Sequence, residues 1–329
     1  MIKSLVTGGA GFIGSNLVDQ LVKKKHKVIV LDNFSTGRRS NLLHHKKKDV
    51  KIIKIDISNT RQLDRHFRDV DYVFHLAGIA DIVPSIENPN KYFQSNVVGT
   101  LNVVEAAKKA NIKKFIYAAS ASCYGIPTKF PIKEDAKINP MYPYAFTKWQ
   151  AEELIMHWVK IYNFPAISIR FFNAYGPRSR TSGAYGAVFG VFLAQKLANK
   201  PLTIVGNGNQ TRDFIHVYDL VSGIIKAALS SKAGEVYNIG GGKETKVNKI
   251  TKLIGGKKVH IPKRPGEPSR SLADISKIKK DLNWQPKIKI EEGVKNLLSK
   301  IHYWKDAPVW TPKGIKKETK TWFKLLGGK

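Results

Sequence analysis

Apolar and polar positions along this chain follow two alternating periods, and the switching between them predicts most of its architecture. Ile2-Lys3-Ser4-Leu5-Val6 is short, apolar and β-prone, which predicts a buried first strand. Similar runs recur at residues 27–31, 51–55, 72–76, 114–118 and 166–171, with a seventh strand returning at 235–239. Stretches of helical spacing separate them, the clearest over 92–110 and 144–162. Regular alternation of strand and helix predicts βαβ units, and hence an α/β fold built on a Rossmann-type doubly wound parallel sheet. The rhythm breaks over 176–208 and 240–300, which are rich in Gly, Pro and Arg. The expected organisation is a nucleotide-binding domain over 1–176 with a returning segment at 209–239. A smaller substrate-binding lobe draws on 177–208 and 240–304. The tail, 305–329, is basic but carries Trp310, Trp322 and Phe323, which suits either a packed extension or a partly ordered arm.

The first strand runs into Thr7-Gly8-Gly9-Ala10-Gly11-Phe12-Ile13-Gly14 and then a helical pattern. Glycines at Gly8, Gly11 and Gly14 suit a tight turn, a backbone pressed against a pyrophosphate, and close helix–strand packing. The helix N-terminus offers unpaired N–H groups and a positive dipole end to the anion. The second strand ends at Asp32, eighteen residues after Gly14. An acid there accepts hydrogen bonds from ribose hydroxyls and repels a 2′-phosphate, which favours NAD over NADP. Arg38 and Arg39 follow closely and are expected to face solvent or the adenine edge.

At 329 residues the chain can bury a large core. No apolar run is long enough to span a bilayer. The chain opens directly on a core strand, so no signal peptide is expected. The single cysteine, Cys123, excludes an intrachain disulfide and points to a reducing cytoplasm. No Cys/His spacing suits zinc, and no metal is expected. A net charge of +31 raises nucleic acid as a partner. However, 45 of the 56 basic residues are lysines, scattered over almost every predicted element. Phosphate recognition leans on arginine and on a concentrated patch, so specific nucleic-acid binding is not expected.

Tyr144 and Lys148 stand four apart on a predicted helix and share one face. An ammonium beside a phenol favours the phenolate, which makes tyrosine a usable general base. Ser120 lies just beyond the predicted strand 114–118, at the carboxyl edge of the sheet where ligands of open α/β sheets bind. Downstream of a dinucleotide fingerprint, this trio reads as a proton-transfer apparatus beside a nicotinamide.

With these motifs the chain resembles an extended short-chain dehydrogenase/reductase of the nucleotide-sugar epimerase/dehydratase family, most closely the UDP-hexose 4-epimerases. The likeness spans residues 2 to about 304. It rests on TGGAGFIG, LDNFSTG, Asp56-Ile57, His75-Leu76-Ala77-Gly78, Asn96 within QSNVVGT, Ser120-Ala121-Ser122-Cys123-Tyr124-Gly125 and Tyr144-Ala145-Phe146-Thr147-Lys148. The resemblance implies that Asp56 and Ile57 flank the adenine, that Ala77 and Gly78 line the cofactor path, and that Lys148 grips the nicotinamide ribose. It also implies cofactor contacts at Phe12, Ile13, Asn33, Leu76 and Asn96. On the substrate side it implies that Asn173, Arg212 and Arg264 meet a sugar diphosphate, a charge-assisted role that arginine suits. Glu267 would then hold the nucleotide ribose, with Thr203 to Val205 near the base. One departure is Val188-Phe189, where many hexose epimerases carry Asn-Leu.

Family members share a first step in which the tyrosine takes the sugar 4-hydroxyl proton as hydride moves to NAD. The dehydratases resemble Thr-Asp-Glu at the position of Ser120, Ala121 and Ser122, and decarboxylases carry a Glu at that of Ser122. Neither acid is present here, which leaves 4-epimerisation. In relatives the residue seven beyond the second diphosphate arginine borders the pocket for the C2 substituent. Here that residue is Ser271, small enough for N-acetylated sugars. Rival expectations are a glucuronate 4-epimerase with Arg178 or Arg180 on the carboxylate, a dehydratase, a non-catalytic dinucleotide-binding relative, or a polyanion binder. Apolar side chains on 92–110 and 144–162 exceed what one sheet-facing side needs, so a homodimer is expected.

Overall fold

The computed structural model describes residues 1–59, 63–179 and 188–327. Its strands are β1 (Lys3–Thr7), β2 (Lys27–Asp32), β3 (Val50–Lys54), β4 (Tyr72–His75), β5 (Lys114–Ser120), β6 (Ala166–Phe171), β7 (Asn173–Tyr175), β8 (Leu202–Val205), β9 (Thr211–His216), β10 (Glu235–Ile239), β11 (Glu244–Lys246) and β12 (Lys258–Ile261). All seven apolar runs of the sequence enter one sheet, ordered β10-β6-β5-β4-β1-β2-β3, with every neighbouring pair parallel. The order runs outward from β1 in both directions. The carboxyl ends of β1 and β4 therefore flank the crevice that such sheets use for ligands. β5 and β6 are buried along nearly their whole length, as strands covered on both faces must be.

The covering helices are α1 (Phe12–Lys23), α2 (Ile82–Glu87), α3 (Pro89–Phe93), α4 (Gly99–Lys109), α5 (Pro143–Tyr162), α6 (Val188–Leu197), α7 (Val217–Leu229), α8 (Val247–Ile254), α9 (Ser276–Leu282), α10 (Ile290–Ser299), α11 (Pro312–Glu318) and α12 (Lys320–Leu326). One core holds Leu17 and Leu21 of α1 with Leu220 and Ile224 of α7. The core on the opposite face holds Val103 and Ala107 of α4 with Ala151 and Ile155 of α5. The helix expected over 92–110 is interrupted: a π-helical turn, Gln94–Val98, separates α3 from α4. Such turns carry an extra residue and re-aim side chains, here Asn96. α5 starts with Pro143 at its first turn, where a missing N–H costs nothing, and ends at Asn163 in the left-handed conformation (φ 52°).

The second half combines a three-stranded sheet, β11-β9-β7, with a two-stranded one, β12-β8. Its core joins Phe189 and Phe192 of α6, Ile250 of α8, Val294 and Leu297 of α10, and Trp304. The expected division of the chain shifts in two places. Within 209–239, β9 pairs with β7 and β11, and only α7 and β10 return to the large sheet. Within 240–304, α9 buries Ile278 and Leu282, with Trp284, in the core beneath the large sheet. The tail is a packed extension: Ile315 and Trp322 are buried, and the Thr311 hydroxyl caps α11 by accepting from the Gly314 N–H at 3.2 Å.

Candidate active site

A cleft of about 720 Å³ runs along the carboxyl edge of the large sheet, walled by both halves of the molecule. Every site residue expected from sequence lines it except Asn96. Asn96 is 1% exposed and stands behind the wall. Its Oδ1 accepts from the Ile79 N–H at 2.9 Å, and its Nδ2 donates to the Ile79 carbonyl and the Thr147 hydroxyl, both at 3.1 Å. It thus supports the Gly78–Ile79 backbone, since the π-helical turn points its amide into the protein.

The glycine turn is stereochemically required. Gly8 has φ +67°, and a Cβ there would lie 2.7 Å from the Ala77 nitrogen. A Cβ on Gly14 would sit 2.2 Å from the Gly8 carbonyl oxygen. Gly11 precedes α1 with no side-chain cap, so the first-turn N–H groups face the cleft as an anion site. Asp32 accepts from the Ala10 N–H (2.9 Å) and the Phe34 N–H (2.8 Å), which also ties it to the turn. Burial pushes its carboxyl above the ordinary value, and those two N–H groups pull it back. Asn33 donates to Asp56 at 2.9 Å. Arg39 is exposed, whereas Arg38 lies over the Tyr303 ring at 5.9 Å and lines the cleft.

At the reactive end, Ser120 is the last residue of β5, and its hydroxyl lies 2.8 Å from that of Ser122. Tyr144 opens α5 beside them, its ring nearly parallel to that of Tyr142 (10°, centroids 6.3 Å apart). Burial raises its phenol above the ordinary value, hydrogen bonds with Ser120 and Ser122 pull it back, and the charge of Asp81 raises it further. The sequence reading gives the lowering of this phenol to Lys148. In the structure the Lys148 ammonium instead lies 4.2 Å from the Tyr117 ring centroid, on the Gly78 side. Burial drives Lys148 down to about 7, with Glu152 opposing.

On the wall formed by the second half, Arg212 and Arg264 converge on one carboxylate, Glu267, at 2.9 and 3.8 Å. Two cations share one anion, which leaves net positive charge in the cleft. Thr203 is buried against Gln195, which donates to its hydroxyl at 2.9 Å. Val205, Asn173 and Ser271 reach the wall. The departure at Val188-Phe189 opens α6, and Phe189 stacks on Tyr175 at 4.7 Å in the second core. Arg178 is paired with Asp19 at 2.9 Å, and Arg180 lies outside the described residues. His44 and His45 also bond Asp19, at 2.9 and 2.8 Å, a grouping that sequence spacing did not reveal. Asp81, Tyr142, Trp310 and Trp322 line the cleft as well. None belongs to a recognisable motif, so sequence reasoning missed them.

Lys148 carries a pH signature. With its amine held at about 7 rather than 10.5, the folded protein binds fewer protons than the unfolded chain between those values. The penalty for burying the ammonium is therefore full below about pH 7 and fades as pH rises toward 10.5. In cofactor-free melts, Lys148→Met should gain stability over the wild type at low pH, with the gain shrinking as pH rises. A pH-independent difference would refute a depressed amine.

Residues 5–297 match the protein family described as GDP-mannose 4,6 dehydratase. The putative UDP-glucose 4-epimerase of Methanocaldococcus jannaschii is 37% identical over 304 residues, 90% of this chain and 97% of that protein. Among solved structures, UDP-N-acetylglucosamine 4-epimerase from Methanobrevibacter ruminantium M1, in complex with UDP-N-acetylmuramic acid, is 34% identical with a TM-score of 0.85. It covers 91% of this chain and 99% of its own. The UDP-glucuronic acid 4-epimerase of Bacillus cereus, in complex with UDP-glucuronic acid and NAD, is 33% identical with a TM-score of 0.85, covering 92% and 99%. The seven-stranded parallel sheet with helices on both faces agrees with these matches. The chain belongs to the GDP-mannose 4,6 dehydratase family, among the nucleotide-sugar epimerases and dehydratases of the extended short-chain dehydrogenases/reductases.

Proposed function

We propose that this protein is an NAD-dependent 4-epimerase acting on UDP-hexoses, with UDP-N-acetylglucosamine/galactosamine and UDP-glucose/galactose as substrates. The observation that carries this reading is the trio of hydroxyls from Ser120, Ser122 and Tyr144 at the reactive end, with Ala121 and Ser122 where a dehydratase needs an acid and a base. The glycine cradle, the uncapped start of α1 and Asp32 fit a dinucleotide. NAD, when bound, supplies the acceptor for hydride from sugar C4. Tyr144 takes the 4-hydroxyl proton, with Ser120 and Ser122 sharing it by hydrogen bonds. The two arginines tether the diphosphate while the 4-keto ring turns over. Tyr144 would then return the proton to the 4-oxygen, with a bound NAD supplying hydride to the opposite face.

A neutral sugar fits better than a glucuronate. Arg178 is occupied by Asp19, and the Asp81 charge reaches Tyr144, so a sugar carboxylate would meet like charge. Ser271, half-buried in the wall, leaves room for an acetamido group. A dinucleotide sensor would need no Ser120–Tyr144–Lys148 set, so we favour an enzyme.

We further propose a homodimer built on the faces of α3, the π-helical turn after it, and α5. Phe93, Phe146, Ile161 and Tyr162 are 41%, 43%, 54% and 51% exposed there, with Val97, Leu154 and Trp158 half-buried beside them. A cytoplasmic location fits the single buried thiol, Cys123. No described helix is long and apolar enough to cross a membrane.

Tyr144→Phe should lower turnover about 10²–10⁴-fold with unchanged circular dichroism, and near-native turnover would remove the base. Ser271→Tyr should cut kcat/KM on the N-acetylated substrate about 10–200-fold and spare UDP-glucose. Full activity of that variant on the N-acetylated sugar, or none by the wild type, would overturn the size gate. Light scattering at micromolar concentration should return twice the chain mass, and a monomer would reject the interface.

A further inference from the structure

The match to the family ends at residue 297, yet the segment beyond it supplies part of the cleft wall through Pro308, Trp310 and Trp322. Three attachments hold this segment down. The fully buried Gln195 side chain donates to the Trp310 carbonyl at 2.7 Å while also holding Thr203. Ile315 enters the core of the second half. Trp322, 3% exposed, donates its indole N–H to the Pro265 carbonyl at 2.8 Å.

Trp322 also meets the neighbouring cation directly: the Arg264 guanidinium lies over its ring, 5.5 Å from the centroid. On the other side of α12, the Thr321 hydroxyl bonds Glu87 of α2 at 3.0 Å. Helix α12 therefore bridges the mouth of the cleft, from the 264–267 loop to the large-sheet half.

We propose that α12 is a working part of the sugar-nucleotide site, in which Trp322 positions Arg264 for the substrate diphosphate. The proposal rests on the reading that Arg264 meets that diphosphate. Arg264 sits on a stretch with no regular structure, where its ionic partner Glu267 is 3.8 Å away and shared with Arg212. A guanidinium on such a stretch of chain must hold one orientation to grip a diphosphate. An aromatic face beneath its plane removes much of its conformational freedom in advance. The indole N–H bond to Pro265 fixes the adjoining backbone as well. Trp322 is thus a positioning residue, acting on the diphosphate only through Arg264.

The test compares full-length W322A, W322F, R264A and R264A/W322A by UDP titration calorimetry and steady-state kinetics. W322A should weaken UDP binding and raise KM about tenfold, with kcat changed no more than about twofold. W322F keeps a ring face and should recover most of the loss, and the double variant should bind no worse than R264A alone. NAD affinity should not move. If W322A unfolds, W322L retains apolar bulk without the ring and serves in its place. Full UDP affinity in W322A or W322L, or losses that add to that of R264A, would overturn the positioning role. Normal UDP affinity in R264A would instead sink the diphosphate reading on which it rests.

Discussion

A buried ion pair sets the geometry on which the reactive end of the cleft depends. The side chains of Glu152 and Arg170 are 2% and 6% exposed. Arg170 Nε donates to Glu152 at 3.0 Å, and Ser168 adds a bond to the same carboxylate at 2.7 Å. Arg170 Nη1 donates to the Tyr124 hydroxyl and to the Glu134 carbonyl, both at 2.8 Å. Tyr124 in turn donates to Asn238 on β10 at 2.7 Å. The elements that carry reactive groups all meet here. Glu152 lies on α5, one and two turns beyond Lys148 and Tyr144, and Tyr124 closes the turn that Ser120 opens. A buried charge stripped of its partner costs about 3–5 kcal/mol, so the helix and the turn are held in register. Glu152 also opposes the downward pull of burial on Lys148.

Burial likewise governs the chemistry behind the glycine turn. His75 is buried between two threonines, its Nδ1 2.7 Å from the Thr7 hydroxyl and its Nε2 2.8 Å from that of Thr100. Burial pushes its imidazole down to about 3, with Lys148 adding to the shift. It therefore stays neutral and serves as a spacer between β1, β4 and α4. The Arg212–Arg264–Glu267 group and the Lys148–Tyr144 pair line the same cleft. Ala118, Ala119 and Ala121, all small, also line it.

The strands were legible in the sequence because a parallel sheet covered on both faces needs unbroken apolar runs, and 114–118 and 166–171 are such runs. The glycines and Asp32 were legible because backbone geometry at that turn admits few alternatives. Other features had no local signal. Helical periodicity over 92–110 does not register one extra residue in a π-helical turn, which sends the Asn96 amide inward. The TRDFIH run of β9 suits either sheet, and only pairing decides between them. The Lys148 amine lies over Tyr117, 31 positions away, and Trp322 meets Arg264 across 58 positions of sequence. Such contacts arise only from tertiary packing.

The path of the chain carries a consequence for the two halves. It leaves the large sheet after β6, re-enters it with α7 and β10, departs again at β11, and returns once more with α9 and Trp284. Each half is therefore completed by chain that must first pass through the other. Neither half is a contiguous piece that could be excised. The two halves are therefore coupled through the chain itself, each depending on segments that the other places.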